Sequence, residues 1–223
     1  MNEDSILVRS EIGLWAVADG MGGHTAGDLA SKSITEALSM VRASPSLNCL
    51  LDEVDDTIVE INRDLRAKAK KHSKGCTIGS TIVTLLASDT TGVVLWAGDS
   101  RLYRLRDSHL EQITRDHNPI VDLLDEGLIS EHTALNKDTN IITRAVGGQD
   151  NLVLDVAVFD VEVGDTFLLC SDGLYRELRS EEILEMMSDD CVHRCSQNLL
   201  RECLERGARD NVSLVVSRAH ELQ

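Results

Sequence analysis

An α+β fold built on antiparallel strands is what this 223-residue sequence predicts, and three observations predict it. Short apolar runs crowd residues 77–114, separated by Ser, Asp, Thr and Gly, the texture of an antiparallel meander. Helical periodicity comes in grouped blocks rather than alternating with single strands, which argues against a doubly wound parallel sheet. No linker, repeat or low-complexity segment interrupts the chain, so residues 1–223 are expected to form one large domain with a substantial core.

Ile6–Arg9 and Gly13–Ala18 read as two strands joined by a short polar turn. A helix follows, with Ala26, Leu29, Ala30, Ile34, Ala37, Leu38 and Val41 at three- and four-residue spacing, and with Thr25 and Asp28 placed like a capping box. Leu51, Val54, Ile58, Ile61, Leu65 and Ala69 mark a second helix, whose basic end (Lys68, Lys70, Lys71) suits the helix dipole. Ser80–Ala87, Gly92–Ala97, Leu102–Arg106 and Leu110–Thr114 are the strands of the meander. A short helix is expected near Pro119–Glu126, inside a loop-rich excursion over 117–149. Leu152–Phe159 and Thr166–Cys170 read as strands, Ser180–Met187 and Val192–Arg206 as helices, and Val212–Ser217 as a closing strand.

Composition narrows the function. A formal net charge of −16 argues against nucleic acid or an anionic membrane surface as partner. No apolar run approaches the ~20 residues that span a bilayer, and the acidic, polar start is unlike a signal peptide. A cytoplasmic enzyme is the expectation. Aromatic residues make up only 3 %, so the core is expected to be aliphatic. The cysteines at 49, 76, 170, 191, 195 and 203 include no CxxC pair and read as small core hydrophobes or isolated thiols, not as a disulfide framework or a metal site.

Four aspartates stand in distinctive short settings: Asp19 in Val-Ala-Asp-Gly-Met-Gly-Gly-His, Asp99 in Ala-Gly-Asp-Ser-Arg, Asp172 in Leu-Cys-Ser-Asp-Gly-Leu and Asp210 in Arg-Asp-Asn-Val-Ser. The first three follow apolar strand runs (Leu14–Ala18, Val93–Ala97, Phe167–Cys170), and the fourth precedes one (Val212–Val216). Carboxylates held rigidly on one spot repel each other unless a positive charge lies between them. Hard divalent cations with oxygen ligands, Mg²⁺ or Mn²⁺, supply that charge. Gly20 is expected to let a backbone carbonyl approach a metal and the chain turn sharply off its strand. His24, one turn beyond Asp19, is placed to donate a proton to a leaving group; the plainer reading is a solvent-facing residue at a helix N-terminus. The Gly-rich stretch lacks the Lys-Ser/Thr ending of a P-loop and the GxGxxG spacing, and no kinase Val-Ala-Ile-Lys or Asp-Phe-Gly is present.

The ordered set Asn2-Glu3-Asp4, Val17 to His24, Gly79-Ser80-Thr81, Gly98-Asp99-Ser100-Arg101, Asp116-His117, Ser171-Asp172-Gly173-Leu174 and Arg209-Asp210-Asn211 resembles the metal-dependent Ser/Thr protein phosphatases of type 2C, in their bacterial form. The likeness runs from residue 2 to about 217. It implies a four-layer α-β-β-α sandwich, two antiparallel β-sheets flanked by helices, with a metal site at one end. Asp19 would bridge two cations, and Gly20 would bind through its carbonyl oxygen. Asp172 and Asp210 would hold the first cation, Asp4 would act at the second, and Asp99 with Asp172 would supply a weaker third site. Two Mg²⁺ or Mn²⁺ ions per site, with that weaker third, are thus the implied cofactors, and Asp19 and His24 the implied catalytic residues. Residues 117–149 match the family's variable flap. The resemblance implies in-line attack on phosphoserine or phosphothreonine by a water activated between two metals, without a phosphoenzyme. Phosphoproteins, a Ser/Thr kinase and its targets are the implied partners, and a monomer is expected. The family's phosphate-binding Arg, three residues before Asn-Glu-Asp in a first strand, has no counterpart here; Arg9 and Arg101 stand elsewhere. That departure keeps open a catalytically weak relative acting as a regulatory binding module, beside a purely structural cation site.

Overall fold

The computed structural model describes residues 2–22, 26–72, 77–130 and 141–221. Its strands are β1 (Asp4–Arg9), β2 (Leu14–Met21), β3 (Gly79–Ser80), β4 (Ile82–Ser88), β5 (Thr91–Ala97), β6 (Arg101–Arg106), β7 (His109–Gln112), β8 (Asp155–Asp160), β9 (Thr166–Cys170) and β10 (Leu214–Arg218). The helices are α1 (Ala26–Ser39), α2 (Leu47–His72), α3 (Pro119–Asp125), α4 (Asp172–Tyr175), α5 (Ser180–Met187) and α6 (Val192–Glu205). One sheet runs β1-β2-β4-β5-β8 with β3 paired to β2; the other runs β10-β9-β6-β7. All the pairings are antiparallel.

Period-two alternation in the strands builds the layers. On β2, Leu14, Ala16 and Ala18 face the helices, and Val17 faces the other sheet. On β9, Phe167 and Leu169 face the first sheet, while Leu168 and Cys170 face α5 and α6. The stripe Ala30, Ile34 and Leu38 of α1 and the stripe Leu50, Val54, Ile58 and Leu65 of α2 close one outer layer. Ile183, Met187, Leu199 and Cys203 close the other. The result is the expected α-β-β-α order, with a core that is almost wholly aliphatic. Cys170 and Cys203 pack there as small apolar groups, and Cys195 is buried with its thiol on the Asp189 carbonyl.

At three places a strand stops short of expectation because its pairing partners run out, while β1 and β2 run longer, from Asp4 and to Met21. β10 starts at Leu214, not Val212, since Leu214 lies opposite Cys170, the last residue of β9. β8 starts at Asp155, not Leu152, since its ladder begins opposite Trp96; Leu152 and Leu154 still enter the core. β7 ends at Gln112, not Thr114, because the Thr114 hydroxyl accepts from the Leu102 N–H in place of the ladder (3.0 Å). α3 forms where a short helix was expected, and Asn118 caps it: its Oδ1 accepts from the Ile120 and Val121 N–H groups, with Pro119 at the first helical position. The Thr25–Asp28 capping box lies partly outside the described residues.

Candidate metal centre

The ends of five strands deliver the five acids. Asp4 and Asp19 stand directly opposite in the β1–β2 ladder, so both side chains leave the same face. Asp99 occupies the turn from β5 to β6, after Gly98 at φ +114°. Asp172 opens α4 just beyond β9, and Asp210 lies in the bend before β10. Asp19, Gly20, Asp99, Asp172 and Asp210 line one open cleft of about 640 Å³, and buried Asp4 adjoins Asp19. His24 lies outside the described residues.

Asp4 and Asp19 are held by neighbours that their own segments do not supply. The Ser171 hydroxyl donates to Asp4 Oδ2 (3.0 Å) and accepts from the Ser213 N–H (3.0 Å), tying β1 to the adjoining ends of β9 and β10 in the other sheet. Thr81 brackets Asp19, accepting from its N–H at Oγ1 (3.1 Å) and donating its own N–H to the Asp19 carbonyl (2.8 Å). Asn211, beside Asp210, accepts from the Glu3 N–H (2.8 Å). Gly20 corrects an expectation: β2 continues through it to Met21, and the chain leaves the strand at Gly22, φ +121°. Glycine is needed at 20 because a Cβ there would sit 2.2 Å from the Gly27 carbonyl oxygen and 2.5 Å from that of Glu3.

Burial, then the charges of Asp4, Asp172, Asp99 and Asp210, push the Asp19 carboxyl well above the usual carboxylate range. Burial also raises Asp4, though hydrogen bonds from Ser213 and Ser171 offset it, and raises Asp172, which Arg176 partly relieves. Asp99 is raised to about 6, by burial first and then by Asp172 and Asp116. Burial and mutual repulsion thus make Asp4, Asp19, Asp99 and Asp172 harder to ionise than isolated carboxylates. The donor set is all oxygen, which suits Mg²⁺ or Mn²⁺, and Asp172 Oδ1 is buried with no hydrogen-bond partner. Among the described residues no three acidic, His or Cys side chains form a ready-made cage for one ion.

The folded-state pKa values are raised, so in EDTA the stability these acids contribute is full below the unfolded value of about 3.9 and is lost as pH rises through about 6 for Asp99. Cations bind the ionised form. Added Mn²⁺ should therefore raise the melting temperature more at pH 7.5 than at pH 5. Equal increments at the two pH values would count against a shared cation site.

The sequence reading missed Arg176 and Tyr175 as supports of the cleft and gave Arg101 and Asp116-His117, which stand in its motifs, no supporting role. Arg176 Nη2 lies 2.7 Å from Asp172 Oδ2 and 3.9 Å from Asp99 Oδ2. Arg101 grips Asp116 through two hydrogen bonds, 2.9 and 2.6 Å, and its guanidinium carbon lies 3.5 Å from the centre of the Tyr175 ring. The Tyr175 hydroxyl donates to the Asp99 carbonyl (2.9 Å). His117 Nδ1 accepts from the Gly98 N–H (3.0 Å), so Asp116-His117 braces the Asp99 turn. The four-residue offset from Asp172 to Arg176 was a usable signal; the others join residues distant in sequence.

The fold and the acid-ringed cleft at the sheet ends define a class: bacterial Ser/Thr phosphatase structures share this architecture. PppA, described as a key regulatory component of the type VI secretion system (T6SS) in Pseudomonas aeruginosa, matches with TM-score 0.91 and 40 % identity over 98 % of this chain and 92 % of that one. The catalytic domain of the serine/threonine phosphatase PstP, solved in complex with two manganese ions, matches with TM-score 0.86 and 32 % identity over 99 % and 93 %. The Mycobacterium tuberculosis serine/threonine protein phosphatase PstP is 33 % identical over 217 residues, 97 % of this chain; the chain spans only 42 % of that relative's length. The model of the family described as protein phosphatase 2C matches residues 1–206. This chain belongs to the protein phosphatase 2C family.

Proposed function

We propose that the chain is a Mg²⁺- or Mn²⁺-dependent phosphoprotein phosphatase that hydrolyses phosphoserine and phosphothreonine by in-line attack of water. The observation that carries this reading is the burial of Asp19 among four other carboxylates in a cleft of the protein phosphatase 2C fold. Asp19, the Gly20 carbonyl, Asp4, Asp172 and Asp210 would hold two cations. Asp99 and Asp172, which the resemblance implies for a third, already carry Arg176. When bound, the cations lower the pKa of water and offset charge on phosphoryl oxygens.

The protein's own groups set the geometry. Ser171 orients Asp4, Thr81 fixes the main chain of Asp19, and Asn211 fixes Glu3 at the cleft wall. These contacts keep the carboxylates placed to hold cations without reorganising. No Cys or Asp nucleophile is required. His24 is assigned as the acid that protonates the leaving alkoxide. His24→Ala is then expected to slow phosphothreonine hydrolysis by about 10²-fold or more while leaving Mn²⁺ affinity intact. p-Nitrophenyl phosphate, whose leaving group needs no proton, should be spared; equal losses on both substrates would remove the role.

Residues 1–223 serve as one catalytic domain, with 117–149 as a flap bordering substrate; Ile142 from this stretch lines the cleft. Relatives named as Ser/Thr phosphatases support phosphoproteins, with a Ser/Thr kinase and its targets, as partners. A monomer in the cytoplasm is the working assignment. Among the described residues no helix is long and apolar enough to cross a membrane. The test is hydrolysis of a phosphothreonine peptide with Mn²⁺ and with EDTA. Turnover only with Mn²⁺ supports the reading, and none under either condition rejects it.

A further inference from the structure

Among the described residues that line the cleft, Arg176 is the one that points a positive charge at the acid cluster and is bound to it. Its guanidinium reaches two carboxylates at once, Asp172 at 2.7 Å and Asp99 at 3.9 Å. The other arginine of the cleft, Arg209, is held 2.8 Å from Glu177. Arg176 is also well placed by its neighbours. It caps the C-terminal end of α4, one residue after Tyr175, whose hydroxyl fixes the Asp99 main chain. Tyr175 in turn lies under Arg101, which Asp116 clasps. Two consecutive residues thus hold the Asp99 turn, one by its carbonyl and one by its carboxylate. The two oxygens of Asp172 are divided: Oδ2 takes Arg176, while buried Oδ1 has no partner.

We propose that Arg176 is a tethered cation that neutralises the Asp99–Asp172 pair, so that this pair takes no divalent ion of its own and the centre holds two cations rather than three. The proposal rests on the phosphatase reading and its cation requirement. A tethered guanidinium loses little further freedom when it sits on the carboxylates, and its planar fork can serve both. A divalent ion at the same pair would have to displace it and leave a positive side chain beside a doubly charged ion. Asp172 Oδ1 stays available to a cation at Asp19.

The test counts bound Mn²⁺ per chain by equilibrium dialysis with metal analysis, which needs no turnover. The wild type should bind two ions. Arg176→Gln, close in length and uncharged, should bind one more, with weaker affinity, and Asp99→Asn added to it should remove that extra ion. In the wild-type background Asp99→Asn should leave the count unchanged. Equal or lower counts in Arg176→Gln than in the wild type overturn the proposal, as does loss of an ion on Asp99→Asn alone. Zero ions in both proteins would overturn the phosphatase reading as well, so the two failures are told apart. Circular dichroism of Arg176→Gln checks that it folds; if it does not, the Asp99→Asn count decides.

Discussion

Asp172→Asn should abolish phosphatase turnover while the protein stays folded. Asp172 lies 2.7 Å from Arg176 through one oxygen and leaves the other buried and unpartnered in the cleft. Asn keeps the shape, and the backbone contacts of α4 remain, but it removes one of the charges a divalent cation would bind. Metal-derived charge stabilisation is worth several kcal/mol at the transition state, or roughly three orders of magnitude in rate. Mn²⁺ affinity should fall with it. The melting temperature in EDTA should hold, because losing one charge from a crowded acid cluster relieves the repulsion that raises Asp19. Rate and affinity both near wild type would remove Asp172 from the centre.

Arg101→Met should give the largest loss of stability. Arg101 makes a two-pronged pair with Asp116, donates to the Tyr103 hydroxyl (2.8 Å) and covers the Tyr175 ring. The Asp116 side chain is only 6 % exposed, so removing its partner strands a charge in the protein interior. Breaking such a pair costs on the order of 3–5 kcal/mol, about 10 °C in melting temperature for a chain of this size. Turnover should fall as well, since Tyr175 fixes the Asp99 turn. Arg101→Lys should recover only part of the loss, because an ammonium has neither the fork nor the flat face. Full recovery with Lys would mean that charge alone matters there. Thermal melts in EDTA measure both variants.

Much of this arrangement was legible in the chain. Asp19, Asp99 and Asp172 each follow an apolar run, and a run of that kind ends where a sheet ends, so their convergence could be argued from residue order alone. The α+β class and nearly all strands and helices were readable from spacing; the four layers came from the resemblance. The alternation of Leu14, Ala16 and Ala18 against Val17 marks a strand buried on both faces. What periodicity cannot carry is pairing across the fold. The Ser171–Asp4 contact joins residues 167 positions apart. Arg176 drew no reading from the sequence, because Asp99, the second carboxylate it reaches, belongs to another part of the chain. Gly20 was read as a turn former because the requirement it meets, close approach of the Gly27 carbonyl, belongs to another element.

The most direct measurement follows Mn²⁺ binding and phosphothreonine hydrolysis in the same titration of the EDTA-stripped protein. If the acid cleft is one cation-dependent hydrolytic centre, turnover should rise with occupancy of the tighter sites, and both should be lost together in Asp172→Asn. Turnover that survives EDTA, or full occupancy without turnover, would contradict it.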